Sequence, residues 1–278
     1  MLKPDLHCHS HYSDGQHEPE YLVQRALNNG LSHLAITDHD FITNIDGLAA
    51  HSDELQLICG VEVSCAWQER EVHIVGLFID SSESELQDLL REQRQRRVAR
   101  INAMDEKLMA LGIQGLTEHV ESLQCETWTR SHVAEFLVTN GHCKNWEKAF
   151  KKFLSRRGRI HVPVEWMSLQ TGVHAIKAAG GVAIVAHPGR YGLTKTKTKR
   201  LIAEFKSVGG EGIEGSYGNV DPMTRKFLCE LALEENLFIS VGSDFHSADR
   251  HWTDLGKFPT LDNTTTKNAI WAHPKWHS

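Results

Sequence analysis

The sequence lacks the features that mark membrane-spanning, secreted and disordered proteins. In its 278 residues no apolar run approaches the roughly 18 residues of a membrane helix, which excludes a bilayer-spanning chain. Residues 1–5 lack the long apolar core of a secretory signal. Hydrophobic residues make up 40% and charged residues 24% of the chain, which excludes a disordered or collagen-like protein and predicts one large domain or two small ones.

Cysteine pairing signals and an excess of positive charge are also absent. None of the six cysteines forms a Cys-x-x-Cys pair, and without a secretory signal they indicate reduced thiols in a cytoplasmic protein. The formal net charge of −6 excludes a protein that binds nucleic acid over its whole surface, although it leaves room for a local basic patch.

Short apolar segments alternate with helical patterns over most of the chain. Strands are predicted near 34–37, 57–61, 72–78, 182–185 and 238–241. Helices are predicted at 19–29, 168–179 and 221–236, and this alternation is typical of an α/β protein with a parallel sheet or barrel.

The middle of the chain breaks this alternation. Residues 84–111 form one long helical pattern, and shorter helical patterns follow near 117–124, 131–140 and 145–155 without a strand between them. We therefore predict a barrel formed by 1–97 and 163–278, with a small helical insertion domain at 98–162.

Histidine is abundant, with 18 residues, and many of these histidines stand where predicted strands end. Five such segments carry His, Asp or Glu, namely 5–9, 37–40, 61–64, 185–189 and 242–246, and His73 lies in a sixth. The carboxyl ends of barrel strands meet at one face, so these side chains are expected to converge there.

The residue types and their spacing favour a metal site at that face. His7 and His9 are two apart, as are Asp244 and His246, so each pair points to one side of an extended strand. Glu62 emerges from an apolar run, where an ionised carboxylate is costly unless it is paired or bound to metal. Mixed His and carboxylate ligands suit Zn, Mn or Fe. A single histidine in this setting is more often a hydrogen-bonded core residue, but six coinciding segments favour the metal site.

These segments, taken in order, resemble the successive motifs of the PHP (polymerase and histidinol phosphatase) family. The motifs are Asp5-Leu6-His7-Cys8-His9-Ser10, Ser13-Asp14-Gly15, Thr37-Asp38-His39-Asp40, a glutamate, His73, His187-Pro188 and Asp244-Phe245-His246. The resemblance covers about 1–82 and 163–250. It implies a distorted, TIM-like (β/α)₇ barrel with a trinuclear metal centre.

The resemblance also implies how the ligands divide among three ions. The first ion would be held by His7, His9, Glu62 and Asp244, and the second by Glu62, His73 and His187, with Glu62 bridging. The third would be held by Asp14, His39 and His246. Many members have histidine in place of Asp14, and the extra oxygen ligand favours Mn²⁺, with Zn²⁺, Fe²⁺ or Mg²⁺ as alternatives.

Two further motifs resemble one branch of this family. Thr129-Arg130-Ser131-His132 and His187-Pro188-Gly189-Arg190 are similar to segments of the 3′,5′-nucleoside bisphosphate phosphatases and 5′→3′ exoribonucleases of the ribonuclease AM type. The implied reaction is hydrolysis of a 3′-phosphoester by metal-activated water. The implied substrates are nucleoside 3′,5′-bisphosphates and 5′-phosphorylated RNA or short oligonucleotides, and neither a membrane nor a protein partner is implied.

Both substrates are cleaved at the bond between the 3′ oxygen and phosphorus, so one site serves both if it anchors the 5′-phosphate. Arg130, Arg190 and His132 are candidates for substrate binding, because arginine suits phosphate. The alternative for each arginine is a surface salt bridge. Asp40 or His132 is a candidate proton donor to the leaving oxygen.

Three more features have two interpretations each. Trp128 or Tyr217 would either stack on the base or pack in the core. The basic run 151–159 would either follow an RNA backbone or form a solvated helix face.

Two other functions stay open at this point. A histidinol phosphate phosphatase of the same family would have a small, closed pocket and no use for a basic helical insertion. A non-catalytic PHP module would stabilise a polymerase, but such modules tend to lose ligands, whereas all nine positions are filled here.

Overall fold

The computed structural model describes residues 2–48, 54–249 and 253–277. Its centre is a seven-stranded sheet whose strands lie side by side in chain order. The strands are β1 (Pro4–Cys8), β2 (His33–Ile36), β3 (Gln56–Trp67), β4 (Arg70–Leu77), β5 (Val182–Val185), β6 (Gly212–Tyr217) and β7 (Phe238–Gly242). The sheet curls into a nearly closed barrel, because Cys8 forms an isolated parallel bridge with Phe245 just after β7.

One strand runs against the others. β4 pairs antiparallel with both β3 and β5, whereas all the other neighbouring pairs are parallel. Only two residues separate β3 from β4, too few for the crossover that a parallel pair needs. The predicted parallel sheet or barrel is thus present, with β4 as the one antiparallel strand among the described residues.

β6 is a strand that the apolar pattern did not predict. Glycines at 212 and 215 interrupt its hydrophobic run, and both stand where a side chain would collide. A Cβ atom on Gly215 would lie 2.8 Å from Ile239 Cγ2 and 3.0 Å from Cys229 Sγ. These glycines let neighbouring elements pack closely against β6. They also remove the apolar side chains by which the strand could have been predicted from the sequence.

Eight helices accompany the strands in the described residues. They are α1 (Pro19–Asn28), α2 (Ser84–Met109), α3 (Leu116–Ser122), α4 (Arg130–Thr139), α5 (Trp146–Ala149), α6 (Leu169–Ala178), α7 (Lys195–Ser207) and α8 (Pro222–Glu234), with a π-helical turn (Phe150–Leu154) continuing α5. The predicted helices agree with α1, α6 and α8 within two residues. No strand occurs between β4 and β5, all of which is described.

Helix α2 runs without a break across the predicted boundary between residues 97 and 98. Leu86 and Leu90 near its start pack in the hydrophobic layer between the sheet and its helices. Met104 and Leu108 near its end belong to a separate hydrophobic cluster with α3, α4 and the π-helical turn. The division into a barrel and an insertion domain stays a prediction, and its first boundary would fall inside a helix.

One end of the barrel is closed by the end of the chain. Short 3₁₀ turns between Thr266 and His277 bring Ile270 and Trp276 against the apolar interior of the barrel. The ring of Trp276 lies 4.5 Å from that of His33, the first residue of β2. The opposite end, where the parallel strands terminate, is therefore the one left for a site. No helix in the described ranges is long and apolar enough to cross a membrane.

Candidate metal centre

The nine predicted ligands come together at the carboxyl ends of the parallel strands. They are His7, His9, Asp14, His39, Glu62, His73, His187, Asp244 and His246. His73 reaches this end because β4 is reversed, so that its first half lies beside the second half of β3, where Ser64 pairs with His73. The strand reversal thus places His73 at the site rather than at the closed end.

Glu62 lies at the centre of the cluster and is fully buried. Its Oε1 atom is 3.0 Å from His73 Nδ1 and 2.8 Å from His187 Nε2. Its Oε2 atom is 3.4 Å from His7 Nε2, 3.3 Å from His9 Nε2 and 3.0 Å from His39 Nδ1. One carboxylate therefore faces five imidazoles, with a different set on each oxygen, and its predicted bridging role stays a prediction.

Two aspartates extend the cluster. Asp244 Oδ1 is 3.2 Å from His9 Nε2 and 3.5 Å from His7 Nε2. Asp14 Oδ1 is 3.2 Å from His246 Nε2 and 3.7 Å from His39 Nε2. Asp244 thus lies beside His7 and His9, whereas Asp14 lies beside His39 and His246.

The ligand atoms form four overlapping sets in which all members lie within 4.8 Å of one another. The sets are His9, Asp14, His39 and His246; His7, His187 and Asp244; His7, His9 and Glu62; and His39, Glu62 and His73. The first contains the residues expected at the third ion, with His9 added. Because the sets share members, the assignment of ligands to individual ions stays a prediction.

The donor atoms fit cations. Asp14 Oδ1, His39 Nδ1 and Glu62 Oε2 are buried, and although other ligand atoms lie close to them, none is in hydrogen-bonding geometry. Unpaired buried polar atoms are costly, and cations between them would remove that cost. Nitrogen and oxygen donors alone face the cluster, because the Cys8 thiol donates to the Ala35 carbonyl at 3.4 Å instead.

The electrostatics of the cluster also favour bound positive charge. Burial opposes ionisation of Glu62, yet the imidazoles of His39 and His7 hold the pKa of its carboxyl well below the usual range. Burial also opposes protonation of His73, but Glu62 and Glu71 raise the pKa of its imidazole to about 10. Without metal, these carboxylates therefore favour a proton on His73, and a metal ion bound there would displace that proton.

Two of these ligands have a strained backbone conformation. His187 has a φ of 27° and Asp244 a φ of 51°, a region that non-glycine residues avoid. Asp244 N donates to His7 O at 2.8 Å, and His187 N donates to Glu214 Oε2 at 2.6 Å. These hydrogen bonds hold the two ligands in conformations that the chain alone would not adopt.

Glu214 is a site residue that the sequence analysis missed. This carboxylate on β6 lies with Oε1 3.0 Å from His7 Nδ1, in addition to its bond from His187 N. A proton on His7 Nδ1 leaves Nε2 free to face the cluster, which is how carboxylates orient histidine ligands of metals. The available signal was an acidic residue in an apolar context, Gly-Ile-Glu-Gly, which the missed strand concealed.

A cavity of about 840 Å³ adjoins the cluster at His73 and His187. Five arginines line it, namely Arg70, Arg100, Arg130, Arg156 and Arg190. We call it the arginine cavity. Its wall thus contains both arginines that the sequence analysis selected.

Each of these two arginines has an acidic neighbour. Arg190 pairs with Asp244 Oδ2 and donates to the Gly218 carbonyl at 3.0 Å. Arg130 Nη2 is 3.6 Å from Glu71 Oε1, whose carboxylate also contacts His73 Nε2 at 3.3 Å. Both guanidinium groups are therefore connected to predicted metal ligands.

The candidate proton donors Asp40 and His132 both have hydrogen-bond partners inside the protein. Asp40 Oδ1 accepts from Ser64 N at 2.9 Å, and Oδ2 accepts from Arg97 Nε at 2.7 Å. His132 Nδ1 accepts from Thr129 N at 3.2 Å in the capping box of α4, and its ring also hydrogen-bonds to the Ser13 backbone. Their role as proton donors stays a prediction.

The two aromatic candidates for base stacking pack into the protein. Tyr217 is 3% exposed and lies beneath Arg190, whose guanidinium carbon is 5.4 Å from the ring centre. Trp128 packs against the hydrophobic cluster of the helical segment. Neither lines the arginine cavity, whereas Trp166 does.

A nearly closed barrel with a histidine- and carboxylate-lined end has the architecture of metal-dependent hydrolases. The chain belongs to the PHP domain family, whose profile matches residues 5–156. It is 39% identical over 271 residues to a 5′-3′ exoribonuclease of Haemophilus influenzae, covering 97% of this chain and 98% of that one.

It is also 37% identical to a 3′,5′-nucleoside bisphosphate phosphatase of Chromobacterium violaceum, covering 98% of this chain and 96% of the relative. A solved structure from that organism, described as an amidohydrolase with bound sulfate and no metal, superimposes with a TM-score of 0.89 at 35% identity. That match covers 99% of this chain and 96% of the other.

Proposed function

We propose that this protein is a metal-dependent phosphoesterase that hydrolyses the 3′-phosphoester of 5′-phosphorylated nucleotides. Its substrates are nucleoside 3′,5′-bisphosphates and 5′-phosphorylated RNA. The observation that carries this proposal is the arginine cavity, which opens on His73 and His187 and thus joins a phosphate-binding wall to the predicted metal centre. The names of the two relatives agree with these substrates.

The nine clustered side chains would hold three ions, with Glu62 bridging two of them. Ions bound there supply a water of lowered pKa and positive charge for the phosphoryl oxygens. The carboxylate oxygens of Asp14, Glu62 and Asp244 make the donor set hard enough to favour Mn²⁺.

The arginines bind and orient the substrate in this proposal. Arg190 is held beside Asp244 and faces the phosphoryl group undergoing hydrolysis. Arg130 lies beyond Glu71 and anchors the 5′-phosphate through paired hydrogen bonds. The two substrates place the same 3′ O–P bond at the cluster, and they differ only in the group attached to the far side of the phosphorus atom.

The two alternative functions agree less well with the site. The arginine cavity is open and carries five guanidinium groups, whereas a histidinol phosphate phosphatase needs a small pocket for one phosphate. A non-catalytic module has no need of nine convergent ligands. A cytoplasmic location stays a prediction, supported by six cysteines that form no disulfide.

The manganese-loaded protein should be assayed with adenosine 3′,5′-bisphosphate, with 5′-phosphorylated and 5′-hydroxyl RNA oligomers, and with histidinol phosphate. We expect release of AMP from the bisphosphate and of nucleotides from the 5′-phosphorylated RNA alone. An Asp244→Ala variant prepared in parallel should be inactive, which excludes a contaminating phosphatase. Turnover of histidinol phosphate alone would contradict the proposed substrates.

A further inference from the structure

A second cavity, of about 470 Å³, reaches the metal cluster from another direction. It lies between the loop after β1 and the helices α4 and α5. Asp14 and His246 form its inner end, and Ser131, Glu135 and Trp146 line its helical side. We call it the helix-side cavity. It shares no lining residue with the arginine cavity.

The two cavities meet opposite ends of one series of contacts. Asp14 contacts His39, His39 contacts Glu62, and Glu62 contacts His73 and His187 at the arginine cavity. A phosphorus atom at the cluster would therefore have one opening on each side. This arrangement suits a substrate that continues past its reacting phosphate.

The walls of the two cavities differ in charge. The arginine cavity carries five guanidinium groups, whereas no Lys or Arg is among the described residues that line the helix-side cavity. Its charged lining is acidic, with Asp14, Glu135 and Asp249, and its remaining lining includes the rings of His11, His17 and Trp146. Such a wall repels phosphate, but its carboxylates accept hydrogen bonds from hydroxyls and its rings present flat faces to a base.

The two substrates differ in their need for a second opening. The 3′-phosphate of a nucleoside bisphosphate is a monoester and ends at the cluster. The corresponding phosphate in RNA is a diester, and a second ribonucleoside continues from it. With the first nucleotide in the arginine cavity, that ribonucleoside needs a subsite that offers hydrogen-bond acceptors for its hydroxyls and a flat face for its base.

We propose that the helix-side cavity binds the nucleoside of the second nucleotide of a 5′-phosphorylated RNA. This inference rests on the proposed function and extends it. Trp146 supplies a face for the base, and Glu135 accepts a hydrogen bond from the ribose. Its volume falls within the roughly 300–1,000 Å³ of small-molecule sites.

The test uses Glu135→Ala and Trp146→Ala in the manganese-loaded protein, with a 5′-phosphorylated adenosine dinucleotide and adenosine 3′,5′-bisphosphate as substrates. We expect kcat/KM for the dinucleotide to fall about tenfold, the effect of losing one base-stacking contact. In the same variants, kcat/KM for the bisphosphate should stay within about twofold of the wild-type value. Glu147→Ala, next to Trp146 but outside the cavity, should change neither. An equal loss on both substrates, or no loss on either, would overturn the proposal.

A binding measurement separates this inference from the proposed function. Calorimetry is performed with a 5′-phosphorylated dinucleotide whose linkage is a 3′-methylenephosphonate, which water does not cleave. Weaker binding of this analogue to Glu135→Ala than to the wild-type protein supports the subsite even if the wild-type protein hydrolyses neither substrate. Equal binding to both proteins would overturn it.

Discussion

Thr129 Oγ1 donates a hydrogen bond to Asp14 Oδ2 at 3.1 Å. Thr129 is also the N-cap of α4, where its side chain accepts from Ser131 N. The start of the helix is thereby joined to a predicted metal ligand from a distant part of the chain. The helical segment and the metal centre are therefore expected to influence each other.

Replacing Thr129 by Val should affect both stability and metal content. Loss of the N-cap should lower the free energy of unfolding by about 1 kcal/mol. Loss of the bond to Asp14 should also lower the amount of bound manganese, and Thr129→Ser should restore both. Thermal unfolding and metal analysis measure the two effects. Thr194→Ala is the matched control, because Thr194 caps α7 and its hydrogen bonds go to Lys197 and Thr198 rather than to a predicted ligand, so the metal should be kept. Unchanged metal content in Thr129→Val would contradict this prediction.

Replacing Glu214 by Gln should weaken metal binding. The amide removes the negative charge that holds a proton on His7 Nδ1, so His7 Nε2 is less often available. Loss of such a carboxylate costs about 10–100-fold in metal affinity, measured by titration with manganese. Glu211→Gln is the control, because Glu211 precedes the same strand and pairs with Lys177 and His273 instead. Equal affinities in the two variants would mean that Glu214 does not orient the ligand.

Replacing Arg130 by Ala should reduce the preference for a 5′-phosphate. A charge-assisted hydrogen bond contributes about 1.5–3 kcal/mol, so kcat/KM for 5′-phosphorylated RNA should fall about 10- to 100-fold. Any residual rate on 5′-hydroxyl RNA should not change, because that substrate does not use the anchor. Arg156→Ala should have little effect on either, because Arg156 is 77% exposed and pairs with the exposed Glu69. An equal loss on both RNAs in Arg130→Ala would exclude the anchor role.

The metal-free protein should become less stable as the pH rises from 7 to 10. Burial opposes protonation of His73 and His246, but Glu62 raises the pKa of His73 to about 10 and Asp14 raises that of His246 to about 9. Both exceed the ordinary value of 6.5, so the folded state binds more protons than the unfolded state. The stability that these two protonated histidines contribute is fully present below pH 6.5. It is lost as the pH rises through their raised pKa values.

Unfolding temperatures with chelator and with manganese test this expectation. With metal bound, the same histidines are already deprotonated, so binding strengthens with pH and the added stabilisation by manganese should increase. A melting temperature that rises with pH in chelator would contradict the prediction.

The sequence contained the ligands of the site more clearly than the elements that carry them. His7, His9, Asp244 and His246 were predictable because two-residue spacing and strand ends define a common face. Glu62 was predictable because a carboxylate within an apolar run needs a counter-charge. Strand direction was not predictable, because hydrophobic alternation is the same in parallel and antiparallel strands. The position of His73 at the site depends on that direction.

Glu214 and the partners of Asp40 and His132 could not be predicted either, because they depend on how distant elements pack together. Glu214 was concealed because glycines replace the apolar residues of β6 where neighbouring elements pack closely. The actual bonds of Asp40 and His132 could not be inferred, because their partners are Arg97 and Thr129, contacts of tertiary structure rather than of local pattern.

Helix α2 is 26 residues long, which corresponds to about 39 Å, and it contains neither glycine nor proline. Nothing in its sequence provides a kink. Arg97 in its middle is bound to Asp40, and Arg100 is 3.5 Å from Glu71 at the arginine cavity. One continuous helix thus connects the barrel to the helical segment. A change in the width of the arginine cavity would therefore have to come from the loops and side chains around it, because α2 itself contains no hinge.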